Sequence, residues 1–133
     1  MASPEIQTAV QEAVVGALGV GEDEATPDAT LMDDLGAESI DLLDILFRIE
    51  RSTGVKIQAS DLGDYIQGGM SEEEFGDGSG NVSRKGLEHL SRVMPQIDAD
   101  EYEGKLEAEK VISHFTVQNL ADMVAERAGA AAG

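Results

Sequence analysis

The sequence predicts an all-α fold on three observations. Apolar residues make up 41% of the chain but aromatics only 4%, so the core has to be built from Leu, Ile, Val, Met and Ala, which suits packed helices. Segments 4–18 and 39–52, and a third that starts at Thr116, carry apolar residues at helical spacing. Ser, Thr, Pro and Gly stand where such helices would begin and end. With 133 residues the chain is expected to form one domain.

In the first helix Ile6, Ala9, Val10, Ala13, Val14, Ala17 and Leu18 form one stripe, with Ser3 to cap it, Pro4 in its first turn and Gly19 at its end. From Val20 to Glu38 the chain is acidic and broken by Gly21, Pro27 and Gly36, yet Leu31, Met32 and Leu35 recur, which predicts a loop pinned to the core. The second helix puts Leu42, Ile45, Leu46 and Ile49 on a core face and Asp41, Asp44, Arg48 and Arg51 on the opposite side. Ile40, Leu43 and Phe47 make a second apolar strip beside Ser39. Because exposed apolar patches are uncommon on monomers, the chain itself is expected to cover Leu43; otherwise the strip is for docking.

Seven glycines between Gly63 and Gly86 loosen the next stretch. Short helices are expected at Ser71–Phe75 and Ser83–Val93, the latter with Leu87, Leu90 and Met94 on one edge and Pro95 as its stop. Residues 98–113 are charged and helix-compatible. Thr116 then caps a final helix whose face is Val117, Leu120, Ala121 and Val124, and Ala128–Gly133 reads as a flexible tail.

Charge and composition remove several function classes. Twenty-seven acids against nine bases give a net charge of −18, which disfavours nucleic acid or an anionic membrane as direct partners and discourages self-association, so a monomer with basic partners is expected. No Lys or Arg precedes Arg48, whereas eleven acids do. The absence of cysteine excludes disulfides and thiolate chemistry by the chain's own side chains. Neither a signal peptide nor a membrane-spanning apolar run is recognisable, and a cytoplasmic location is expected.

Ser39 sits between a small Gly36-Ala37 turn and the second helix, so it reads as an accessible helix-start hydroxyl, and as a plain N-cap in the absence of context. It is a poor hydrolase nucleophile: His89 and His114 are not arranged with it and an acid, and the strand-turn-helix setting is missing. Each histidine lacks a second metal ligand three or four positions away. Asp77, Ser79, Asn81 and Glu88 fit positions 1, 3, 5 and 12 of a calcium loop, but Val82 stands where that loop needs Gly and Lys85 at position 9, so a polar surface loop is the better reading.

The stretch Asp34-Leu35-Gly36-Ala37-Glu38-Ser39-Ile40-Asp41, followed by Leu42, Leu43, Asp44 and Glu50, resembles the attachment motif of acyl carrier proteins, whose Asp-Ser-Leu serine carries 4′-phosphopantetheine. Ser39 takes that serine's place. The likeness extends to the first helix, the acidic loop, Gly54 to Ile57 and the closing Thr116-Val117-Gln118 helix, about 85 of the 133 residues. It implies an acyl-carrier-like four-helix bundle with a short third helix near Glu107–Ser113 and extra short helices in an insertion at about 61–104, all within one carrier domain. Glu38 and Ile40 depart conservatively from the motif; Arg48 and Arg51 interrupt a face that is often acidic or neutral.

The resemblance implies a carrier, not an enzyme: acyl groups held as thioesters on a phosphopantetheine arm at Ser39, with Glu38, Ile40, Asp41, Leu43, Asp44, Phe47 and Glu50 as docking residues. Implied partners are a phosphopantetheinyl transferase and acyl-ACP synthetase, ketosynthase or acyltransferase enzymes with basic patches. Charge would steer and apolar contact anchor. Fatty acid or specialised lipid synthesis, including the envelope-lipid (lipid A) variants of the family, is expected. The alternatives are a peptidyl or aminoacyl carrier, or an unmodified acidic adaptor. If residues 83–94 pack near Ile40, Leu43 and Phe47 they would line the space for an acyl chain; placement elsewhere is equally expected.

Overall fold

The computed structural model describes residues 3–132, except the side chains of Ser39, Ala59 and residues 130–132. The described residues are helical, without a regular strand: α1 (Pro4–Leu18), α2 (Ser39–Thr53), α3 (Ala59–Gln67), α4 (Glu72–Phe75), α5 (Arg84–Val93), α6 (Ala99–Tyr102), a 3-10 helix (Ala108–His114) and α7 (Val117–Ala132). The all-α expectation holds. The chain divides into two compact units, one of the residues up to Ala59 together with those from Ser113 onward, the other Ser60–Ile112.

In the first unit α1 packs on both α2 and α7. Ser3 Oγ accepts from the Ile6 N–H at 3.3 Å and Gly19 closes the helix with φ +70°, a conformation that glycine adopts without a Cβ penalty. Val10, Ala13 and Val14 of the predicted stripe are buried, as are Ile45, Leu46 and Ile49 of α2, while Leu42 is only half-buried. All four predicted α7 residues, Val117, Leu120, Ala121 and Val124, are in the core. Thr116 Oγ1 accepts from the Asn119 N–H at 3.1 Å and Asn119 Oδ1 accepts from the Thr116 N–H at 3.0 Å, a buried reciprocal cap. α7 continues through the small residues read above as a tail, as far as Ala132; Gly133 lies outside the described residues.

The acidic loop is pinned, as expected. Ala25, Ala29 and Leu31 are buried, and Gln11 Nε2 donates to the carbonyls of Glu22 and Ala25. The Leu31 N–H donates to Phe115 O and the Val117 N–H to Ala29 O, both at 3.0 Å, around an antiparallel Thr30–Thr116 bridge.

The second unit has its own apolar centre, with Phe75, Val82, Leu87, Leu90, Met94 and Ile97 buried. α4 and α5 form where predicted, each capped by a serine, Ser71 and Ser83. α3 forms in a stretch whose glycines predict loose chain: Leu62 and Ile66 on its inner side are buried, and Gly68 and Gly69 end it with φ +63° and +81°. His89 Nε2 lies 2.9 Å from Tyr65 O, a packing role for that ring. Asp77 Oδ1 accepts from the Ser79 N–H and hydroxyl at 2.8 and 2.6 Å and from the Asn81 N–H at 3.3 Å, so its oxygen is engaged by the turn. The predicted short third helix near Glu107–Ser113 is present as the 3-10 helix.

Candidate functional site

The site is built at the junction of the loop and α2. Gly36 has φ +73°, and its N–H donates to Met32 O at 3.0 Å; a residue with a Cβ is disfavoured in that conformation. Ala37, buried, then donates to Leu31 O at 2.8 Å. Asp34 Oδ2 accepts from the Thr30 N–H and Thr30 Oγ1 from the Asp34 N–H, both at 2.9 Å. The loop therefore delivers residue 38 to the helix start along a fixed path.

Glu38, not Ser39, is the N-cap residue; Ser39 is the first residue of the helix. That corrects the reading of Ser39 as a cap: the turn ends one residue earlier than the Gly36-Ala37 pair suggests. The Ser39 side chain lies outside what the structure describes; its backbone is placed. Asp41 Oδ2 accepts from the Glu38 N–H at 2.8 Å, so Asp41, expected as a docking acid, also fixes the helix start. The one sequence signal for that role is an acid three residues after Glu38, which is read as a capping partner only once Glu38 is known to be the cap.

The first backbone bond into α2 runs from the Leu42 N–H to Glu38 O at 3.1 Å. The N–H groups of the opening turn thus precede the helical ladder, and the helix dipole makes this end of α2 favourable to an anionic group. Glu38 and Ile40 on either side are exposed, so the residue is bracketed by accessible chain. Acid-rich surroundings give no stabilisation to an oxyanion, which a hydrolytic serine would need.

Along α2 the second apolar strip is open: Ile40 is 71%, Leu43 54% and Phe47 56% exposed. The expectation that the chain covers Leu43 is overturned. Helical spacing set the strip on its own face, but a residue's neighbours in space are not written in its periodicity. Asp44 and Glu50 are half-buried, and Asp44 Oδ1 pairs with Arg48 Nε at 3.1 Å. The Arg51 guanidinium carbon lies 5.8 Å from the centre of the Phe47 ring. His114 is half-buried and engaged in contacts; His89 belongs to the other unit. Among the described residues no group of His, Asp and Glu is placed to hold a metal ion, and no helix is long and apolar enough to cross a membrane.

Residues 8–65 match the family described as phosphopantetheine attachment site. Over 58 residues, 44% of this chain and 72% of the relative, the chain is 43% identical to the acyl carrier protein of Thermotoga maritima. Over 52 residues, 39% of this chain and 67% of the relative, it is 44% identical to the acyl carrier protein of Solidesulfovibrio magneticus. No solved structure matches the chain. The matched stretch holds the loop and the whole of α2 and reaches into α3; most of the second unit and α7 lie beyond it.

Proposed function

Because the chain belongs to the acyl carrier protein family, whose members are carriers of covalent 4′-phosphopantetheine and not enzymes, we propose that Ser39 is the attachment point and that this chain carries acyl groups for fatty acid or specialised lipid synthesis. When bound, the group supplies the thiol this cysteine-free chain lacks and holds acyl groups as thioesters. The chain's own residues do the rest. Gly36 and the Asp41–Glu38 cap hold the start of α2, the positive end of the helix dipole would favour the phosphodiester there, and Ile40, Leu43 and Phe47 would give partners an apolar surface. Tethering makes each meeting with a partner's active site effectively intramolecular.

The observation that carries this reading is the position of Ser39 as first residue of α2, flanked by exposed Glu38 and Ile40. The acidity of the chain, −18 overall, favours acyl over peptidyl cargo. The test is intact mass after treatment with coenzyme A and a phosphopantetheinyl transferase. The wild type gains the mass of one phosphopantetheine; Ser39→Ala keeps the helical circular dichroism and gains nothing. A gain that persists in the variant refutes Ser39, and no gain in the wild type favours an unmodified adaptor.

A further inference from the structure

The charges on α2 are sorted in a way that the net charge of the chain conceals. Asp41 is occupied by the Glu38 N–H. Asp44 is paired with Arg48 at 3.1 Å, and Arg48 is held against α1, since a Cβ on Gly16 would stand 2.6 Å from its Nη1. Arg51 is exposed, lies over the Phe47 ring at 5.8 Å and has no carboxylate partner among the described residues. Arg48 and Arg51, with Glu12, Ala13 and Ser52, line a surface cleft of about 400 Å³. The docking strip therefore runs from an acid, Glu38, at its Ser39 end to a cation on its largest apolar side chain at the other.

A uniformly basic enzyme surface matches only the first of these ends. Seating Phe47 in an apolar pocket brings Arg51 with it, because the guanidinium rests on the ring, and a partner lysine or arginine there meets a like charge as water is expelled. A free anion gains one cation's attraction against the field of the whole acidic chain, and a second copy of this chain brings that repulsion with it. An enzyme can offer one carboxylate at the right place within a basic surface and bury Leu43 and Phe47 as well.

We propose that the enzymes that dock on α2, the phosphopantetheinyl transferase first among them, place a carboxylate beside the apolar pocket that receives Phe47, so that Arg51 is a specificity contact on a bipolar docking face. This rests on the carrier reading above and names its partner surface. Two orientations of a partner along the strip are then no longer equivalent, because reversing it puts like charges together at both ends.

The experiment uses the full chain and the phosphopantetheinyl transferase of the genome that encodes it. Equilibrium binding without coenzyme A and initial modification rates with it are measured for wild type, Arg51→Lys, Arg51→Ala and Arg51→Glu. Arg51→Glu is expected to weaken binding and lower kcat/KM about ten-fold, through KM with kcat unchanged, Arg51→Ala a few-fold, and Arg51→Lys least. The final mass gain stays complete in all four. If Arg51→Glu binds as well as or better than wild type, the facing surface is uniformly basic and the proposal is overturned. A wild type that binds but gains no mass strikes the carrier reading instead, and the Arg51 series still reads the surface.

Discussion

Two glycines in the second unit make the same substitution into a test with opposite signs. Gly63 lies inside α3 with nothing within 4 Å of the position a Cβ would take, so alanine gains helix propensity at no steric cost, about 1 kcal/mol of stabilisation. Gly86 is a buried residue of α5. Its Cβ would stand 2.7 Å from Val82 Cγ1, 2.8 Å from Phe75 O and 3.1 Å from Phe75 Cδ1. The carbonyl cannot swing away freely, because it accepts from the Ser83 N–H at 2.7 Å. Overpacking of that kind costs about 1–3 kcal/mol, and the lost bond about 1 kcal/mol more; the propensity gain of about 1 kcal/mol leaves Gly86→Ala destabilised by about 1–3 kcal/mol. Urea unfolding read by circular dichroism, with amide exchange of residues 60–112 to locate the change, separates the two. Gly86→Ala at wild-type stability, or Gly63→Ala below it, refutes the steric reasoning.

Asp41→Ala removes the acceptor at the start of α2 and should cost about 1 kcal/mol, whereas Asp41→Asn keeps an oxygen for the Glu38 N–H and should cost less; equal melting temperatures would show that Asp41 does not hold the helix start. Asn119→Ala strips the buried cap of α7 and leaves the Thr116 N–H without its acceptor, a loss of about 1–3 kcal/mol measurable by thermal unfolding. In the second unit the Glu74 carboxyl is held below the ordinary carboxylate range by the Lys85 ammonium and the Ser71 N–H, and that of Asp77 by the Ser79 hydroxyl and N–H. Both are exposed, so the effect is small, and its sign is fixed: the stabilisation is present at neutral pH and is lost as pH falls below the ordinary carboxylate range through the lowered values. Amide exchange at residues 71–86 should quicken in that window, and Asp77→Asn should flatten the Asp77 part of the response.

What could be read from the sequence followed the physics that is local. α1, α2 and α7 announce themselves because three or four buried aliphatics recur on one face of each, and α1 and α7 begin at a serine and a threonine of ordinary capping chemistry. α3 escaped because Gly63 sits in its middle and two more glycines follow; the pair Leu62 and Ile66, four apart, was the available signal. The attachment motif was legible down to Ser39, but the boundary between loop and helix was not, since the choice of Glu38 as N-cap depends on Asp41 folding back to it. Nor could the sequence show that Leu43 stays open or that Arg51 lies over Phe47. Those depend on which surfaces meet across the chain, and a wheel of one helix contains no information about its neighbours.

The first unit is made of two stretches of chain far apart in sequence, and the loop leading to α2 takes its register from Phe115 and Val117. During synthesis, residues 60–112 are contiguous and can collapse as soon as they leave the ribosome, whereas the loop before Ser39, which bonds to itself at Gly36 and Ala37, cannot make its bonds to Phe115 and Val117 until residues 113–117 emerge. Prior folding of the intervening stretch shortens the effective loop to be closed and lowers its entropic cost. The serine end of α2 thus acquires its final support only after residues 113–117 have followed it out of the ribosome, and a modifying enzyme that requires that support recognises only chains in which that segment has been made.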